Sequence, residues 1–183
     1  PGDNFDLEKS HGATMIDARD GKEYIDCYSY FASLPVGHNH PKMTGDAGFL
    51  KSLQRAALAN PANSDVYTSE FAAFVRTFRE IAAPAEFPHL FFVAGGALAV
   101  ENAMKAAFDW KAQLNERNGI EAGGDRILHF RHAFHGRSGY TLSVTNTDPT
   151  KTARFPKFDW PRISSPAMHF PLDEDKVAAA EEA

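Results

Sequence analysis

Residues 89–105 read His-Leu-Phe-Phe-Val-Ala-Gly-Gly-Ala-Leu-Ala-Val-Glu-Asn-Ala-Met-Lys and join a short apolar run to helix-forming sequence through two glycines. The run 89–93 has the length of a buried strand, and the sequence from Ala97 onward favours a helix. Between them, Gly95 and Gly96 let the backbone turn sharply and approach a ligand closely. A strand that turns directly into a helix leaves the first helical N–H groups without partners inside the helix. They point into the turn together with the positive end of the helix dipole. Such a turn is an anion pocket, and phosphate is its commonest guest. Two glycines also serve as a plain tight connection, so the turn alone leaves both readings open.

The pattern after this turn is a helix from 97 to about 116, a Gly-Gly loop and a second strand at 126–130. Strand, helix, strand alternation implies an α/β layer with a largely parallel sheet, which binds ligands at the carboxyl ends of its strands. Glu101 and Lys105 are spaced for an exposed ion pair on the helix, worth roughly a few tenths of a kcal/mol. Upstream, residues 13–30 alternate apolar and polar around Asp20 and Gly21, which predicts a β-ribbon. A turn-rich loop at 34–41 follows, then a helix over 48–59 that stops before Pro61. Residues 63–68 offer caps for another helix, whose Phe71, Phe74, Val75 and Phe78 fall at helical spacing and are expected in the core. Segment 172–183 starts a helix with an acidic first turn and has no C-terminal cap. With no initiator methionine either, the expectation is a piece cut from a longer protein.

Composition removes several function classes. The chain has 183 residues, enough for one domain with a real core. Nineteen basic residues against 24 acidic ones give a net charge of −5 with no basic tract, which argues against nucleic acid or an anionic membrane as partner. No apolar run approaches the roughly 18 residues of a membrane span, and no targeting signal is evident. The single cysteine, Cys27, leaves no internal disulfide to form and suits a reducing cytoplasm. It lies in an apolar segment without a flanking cation and is expected to be a buried structural thiol.

The second strand leads into a loop, 131–140, that supplies a flat ring, imidazoles and a guanidinium around two glycines. Phe134 offers either a stacking platform for a flat cofactor or an apolar loop anchor. Arg137 suits a bidentate clamp on a carboxylate or, alternatively, a surface ion pair. The histidines at 38, 40, 129, 132 and 135 raise the question of a metal. Their spacings fit turns better than tetrahedral ligation, there is no second cysteine, and no His-Glu-x-x-His pattern occurs, so no metal is expected. No serine sits in a Gly-x-Ser-x-Gly elbow, which leaves Ser-His-Asp chemistry without support.

Together these segments resemble the class III pyridoxal-phosphate aminotransferases of fold type I. The resemblance rests on the N-terminal β-ribbon, the Gly-His-x-His-Pro loop, the Phe-Phe-x-x-Gly-Gly-Ala turn opening a helix with Glu101, and the aromatic-His-Gly-Arg loop. Most members carry Ser-Gly-Thr-Glu at the phosphate turn, whereas this chain reads Gly95-Gly96-Ala97-Leu98. The string at 95–103, with those at 63–67, 133–141 and 154–163, is similar to the branch that acts on the ε-amino group of lysine. The resemblance spans nearly all of the chain.

It implies an α/β fold in which residues 1–62 form an N-terminal arm and small-domain segment, and 63–183 the first part of the cofactor-binding large domain. It further implies that Gly96 and Ala97 hold the phosphate of pyridoxal 5'-phosphate through backbone N–H groups, and that Phe134 stacks on its ring. Arg137 would bind the carboxylate of the amino acid and of 2-oxoglutarate, and Phe31 would line the substrate entrance. Alanine at position 97 removes one hydroxyl contact to the phosphate. The implied substrates are L-lysine and 2-oxoglutarate, and the implied state is a cytoplasmic homodimer. None of the nine lysines matches the position that bonds the cofactor in this family, so the chain by itself is expected to be inactive and its parent active. Three alternatives stand beside this: another ω-aminotransferase of the class, acting on ornithine, 4-aminobutyrate or a diamine; a non-catalytic dimerising fragment; and a nucleotide-binding α/β module.

Overall fold

The computed structural model describes residues 4–62, 65–165, 170–171 and 173–181. They fall into two compact units, Pro1–Pro88 and His89–Ala183. Their boundary lies at 88/89, while the expected domain division lies at 62/63.

In the N-terminal unit the ribbon forms as its alternation predicts. Strand β1 (Thr14–Ile16) pairs antiparallel with β2 (Glu23–Ile25), with Met15 opposite Tyr24. Met15 and Ile16, neighbours on β1 and so on opposite faces of the ribbon, are both buried. Asp17 closes the loop: its carboxylate accepts from the Arg19 backbone N–H at 2.9 Å and from the Arg19 guanidinium at 2.6 and 3.0 Å. The Arg19 hydrogen bonds hold the Asp17 carboxyl down at about 2.

After the ribbon the chain makes a turn that its residue types do not announce. Ser29, Tyr30, Phe31 and Ala32 all have φ between 49° and 61°, a single left-handed turn built without glycine. Such a conformation costs L-residues roughly 1–2 kcal/mol each. Asp26 supports its start, accepting from the backbone N–H groups of Tyr28 at 2.8 Å and Ser29 at 2.7 Å. These bonds, the Ser29 one foremost, hold the Asp26 carboxyl below its usual range. The second Asp26 oxygen lies 3.0 Å from Nε2 of the buried His38. Cys27 is exposed, contrary to the expectation. The segment turns left-handed soon after β2 instead of extending the ribbon, which leaves the thiol uncovered among the described residues.

Helices α1 (Pro41–Thr44), α2 (Ala47–Ala57) and α3 (Ser69–Ile81) complete this unit. Asp46 caps α2 by accepting from Phe49 N–H at 2.9 Å. Thr68, the last residue of the expected capping stretch, caps α3 by accepting from Phe71 N–H at 3.1 Å; Asn63 and Ser64 lie outside the described residues. The aromatic stripe of α3 is not core. Phe74 is 49% exposed and no residue of the helix is buried. Its rings run along one face, Phe71 and Phe74 stacked at 6.3 Å and Phe74 and Phe78 at 6.0 Å. Among the described residues of this unit no strand or helix packs broadly on it. Helical spacing defines a face but not what covers it.

The C-terminal unit is built on α4 (Gly96–Arg117), close to the expected span. Val100, Met104 and Phe108 recur every fourth residue and form the stripe that packs under Val144, Tyr140 and Trp160. Phe158 and Trp160 stack at 4.9 Å with their planes 9° apart, and Phe108 meets Trp160 at 5.8 Å. Strand β3 (His129–Phe130) pairs in parallel with β4 (Arg162–Ile163), as an α/β layer requires, though it is shorter than the expected 126–130. Residues 89–93 join no ladder among the described residues, and Phe91 is 71% exposed, so the expected buried strand is not formed. A strand exists only through its neighbours, and here no described segment pairs with this one. Helix α5 (Gly139–Val144), which packs on α4, and α6 (Glu174–Glu181), with Glu174 and Asp175 in its first turn, finish the unit. No helix among the described residues is long and apolar enough to cross a membrane.

Candidate functional site

The glycine turn opens α4 as an anion pocket requires. Gly95 has φ +87°, and a Cβ placed on it or on Gly96 would meet open space. The first intrahelical bond of this turn runs from Ala99 N–H to Gly95 O at 3.2 Å. Among the described residues no acceptor meets the N–H groups of Gly96, Ala97 and Leu98. Three donors and the positive end of the helix dipole are thus gathered at this turn. The donor set suits a phosphate dianion, to which Ala97 offers no hydroxyl.

The loop 131–138 is brought to the same end of α4. Gly136, with φ +118°, sits directly on Ala97: a Cβ on the glycine would come within 2.4 Å of the alanine methyl. The loop is then fastened by hydroxyls from α5 and the residue after it. Thr145, 1% exposed, donates its O–H to Gly136 O at 2.5 Å and accepts from His135 N–H at 3.0 Å. Asn146 N–H reaches Ala133 O at 2.8 Å. At the loop's exit, Ser138 N–H donates to the Thr141 hydroxyl at 3.2 Å, which donates in turn to Ser138 O at 2.9 Å.

Between these anchors Phe134 is 59% exposed, and Arg137 projects over it with its guanidinium carbon 5.9 Å from the ring centroid. The anchored backbone thus presents an aromatic ring with a cation over one face, on a loop seated at the start of α4. Four of the five expected site residues, Gly96, Ala97, Phe134 and Arg137, are assembled in the C-terminal unit. Phe31 belongs to the N-terminal unit, at the crest of the left-handed turn, and is 86% exposed.

Sequence reasoning missed the fastening. Glu101 forms no ion pair with Lys105 among the described residues; its carboxylate accepts from the Ser138 hydroxyl at 2.8 Å. The four-residue spacing from Ala97 was the available signal, because it puts Glu101 on the helix face that carries Ala97. His129 is buried as a neutral ring: Arg162 Nε–H donates to its Nε2 at 3.0 Å, and Nδ1 faces Ile127 O at 3.3 Å. Burial, with the Arg162 charge a lesser cause, pushes its pKa below 6.5. It stitches β3 to β4. Among the described residues no three His, Cys, Asp or Glu side chains converge on a metal position.

The sequence model of the family described as aminotransferase class-III matches residues 2–183. An L-lysine-epsilon aminotransferase of Mycobacterium tuberculosis is 55% identical over 178 residues, covering 97% of this chain and 40% of the relative. One from Amycolatopsis lactamdurans is 53% identical over 168 residues, covering 92% of this chain and 37% of the relative. The solved structure of a lysine aminotransferase from M. tuberculosis superposes with a TM-score of 0.93 at 53% identity, over 100% of this chain and 42% of that one. The chain thus spans about 40% of the length of the relatives it matches.

Proposed function

Because the chain belongs to the class III aminotransferase family, we propose that its parent protein transfers the ε-amino group of L-lysine to 2-oxoglutarate. The products are glutamate and 2-aminoadipate 6-semialdehyde, a step of lysine catabolism. The observation that carries this reading is the 55% identity to an L-lysine-epsilon aminotransferase across 97% of the chain. The resident cofactor is pyridoxal 5'-phosphate, which when bound supplies the electron sink that amino-group transfer needs.

Gly96 and Ala97, with Leu98 behind them, hold the phosphate by backbone N–H groups. Phe134 gives the ring a face to lie on, and its fixed backbone keeps that face oriented. Arg137 takes the substrate carboxylate through two parallel N–H···O bonds. For lysine that carboxylate is the one distal to the reacting nitrogen, so the guanidinium sets how far the ε-amino group reaches; for 2-oxoglutarate it orients the acceptor. Phe31 lines the substrate entrance. The cofactor-bonding lysine and the carboxylate for the ring nitrogen are assigned to parts of the protein outside these 183 residues. We assign residues 1–62 to the arm and small domain and 63–183 to the large domain of a cytoplasmic homodimer.

The test is glutamate formation by the full-length protein with 2-oxoglutarate and a donor panel. L-Lysine should give the highest kcat/KM. A preference for ornithine, 4-aminobutyrate or a diamine would assign the protein to another ω-aminotransferase of the class. No turnover with any donor would overturn the reading.

A further inference from the structure

We propose that Glu101 is a positioning residue of this site: its carboxylate, on the helix that binds phosphate, fixes the loop that carries Arg137. The proposal rests on the functional reading above for its kinetic consequence, and on the geometry of the C-terminal unit for the rest. Glu101 lies one turn beyond Ala97 on the same face of α4. Its Oε1 accepts the Ser138 hydroxyl hydrogen at 2.8 Å, a contact between residues 37 apart in sequence. The next residue, Gly139, lies against the same carboxylate: a Cβ there would meet Oε1 at 2.8 Å and Oε2 at 3.0 Å. A Cβ at this position would push the carboxylate aside, so the glycine leaves room for it against the start of α5.

Ser138 is in turn bonded in both directions to Thr141, which is fully buried. On the other side of Arg137, Gly136 is held by Thr145 and by its seat on Ala97. Arg137 is therefore the single residue between two anchors, one at Gly136 and one at Ser138. The Ser138 anchor ends on Glu101. Since Glu101 shares a rigid helix with the N–H groups of Gly96 and Ala97, it sets the spacing between the phosphate end of the site and the guanidinium. It touches neither reacting group, and a hydrogen-bond acceptor at that position is what the role demands.

The experiment uses the full-length holoenzyme and the variants Glu101→Gln, Glu101→Ala, Ser138→Ala and the double alanine variant. Two readouts are taken: steady-state kinetics, and hydrogen exchange of the backbone amides at 134–138 in the protein freed of cofactor. Glu101→Gln keeps an acceptor oxygen and should behave as wild type. Glu101→Ala and Ser138→Ala should each raise KM for lysine and for 2-oxoglutarate about tenfold, with a smaller change in kcat. The double variant should be no worse than either single one, as one shared contact requires. Exchange at 134–138 should accelerate about tenfold in both alanine variants, while amides of 104–116 keep their rates. Unchanged exchange at 134–138 in Ser138→Ala, which leaves α4 intact, would overturn the proposal. So would a Glu101→Gln variant as impaired as Glu101→Ala. If the wild-type protein fails to transaminate, the functional reading is lost, and the exchange measurement alone decides the role of Glu101.

Discussion

Gly136 rests on Ala97 so closely that a Cβ on the glycine would lie 2.4 Å from the alanine methyl and 3.0 Å from the Thr141 hydroxyl oxygen. Two motifs 39 positions apart, the glycine turn and the aromatic-His-Gly-Arg loop, thus meet through a pair of the smallest residues. The seat of the loop and the proposed phosphate pocket share Ala97, so what disturbs one should disturb the other.

Gly136→Ala should therefore damage both stability and cofactor retention. Its φ of +118° is strained for any L side chain, and the new methyl has Ala97 and Thr141 in its way. Backbone strain and overpacking together should cost about 2 kcal/mol or more. Thermal unfolding and equilibrium dialysis of pyridoxal phosphate on the full-length protein measure the two effects. An unchanged Tm would mean that the loop is free to lift from Ala97.

Arg137→Lys tests the geometry of the guanidinium while keeping its charge. A lysine ammonium cannot make two parallel bonds to one carboxylate. KM for both lysine and 2-oxoglutarate should rise about tenfold or more, while cofactor affinity, which the proposed function assigns to Gly96, Ala97 and Phe134, should hold. Unchanged KM values for both substrates would remove Arg137 from substrate binding.

Much of this arrangement is legible in the sequence, and what is not has identifiable causes. The ribbon of Thr14–Ile16 and Glu23–Ile25 and the helix Gly96–Arg117 follow from local periodicity and turn chemistry. Four of the five expected site residues come together because they lie on two segments flanking a single helix–loop contact. Residues 89–93 show the limit of an apolar run, since a strand depends on a neighbour its own sequence does not specify. The Phe71, Phe74 and Phe78 stripe shows the same limit for a helix. The left-handed turn at 29–32 carries no glycine or asparagine to mark it and depends on Asp26 instead. The bond from Ser138 to Glu101 is a tertiary contact, and local spacing pointed Glu101 to Lys105.

Thr68 should prove worth about 1 kcal/mol as the cap of Ser69–Ile81. Its hydroxyl accepts from Phe71 N–H at 3.1 Å and donates to Pro61 O at 2.6 Å, tying the helix start to the chain that precedes it. Thr68→Ala should lower Tm by a few degrees and speed amide exchange at 70–72, whereas Thr68→Ser should restore both. Equal losses in the serine and alanine variants would assign the effect to the methyl group.

The stability of the His129–Arg162 stitch should depend on pH, with a sign fixed by which state binds the proton. In the unfolded chain the imidazole titrates near 6.5, while in the folded unit burial, chiefly, lowers that value. Between the two values the unfolded state holds more protons, so stability rises with pH across that window. The contribution is complete above about pH 6.5 and is lost as pH falls through the folded value. Protonation would also replace the acceptor at Nε2 with a second donor facing the Arg162 N–H, breaking the 3.0 Å bond between β3 and β4. Carboxylates such as Asp17, held near 2, lose their contribution only at much lower pH, which separates the two effects. Urea unfolding of the full-length protein at intervals from pH 5 to 7.5 measures the slope. Gln at 129 keeps an acceptor for Arg162 without titrating, so the His129→Gln variant should flatten the slope; an unchanged slope would place the pH dependence elsewhere.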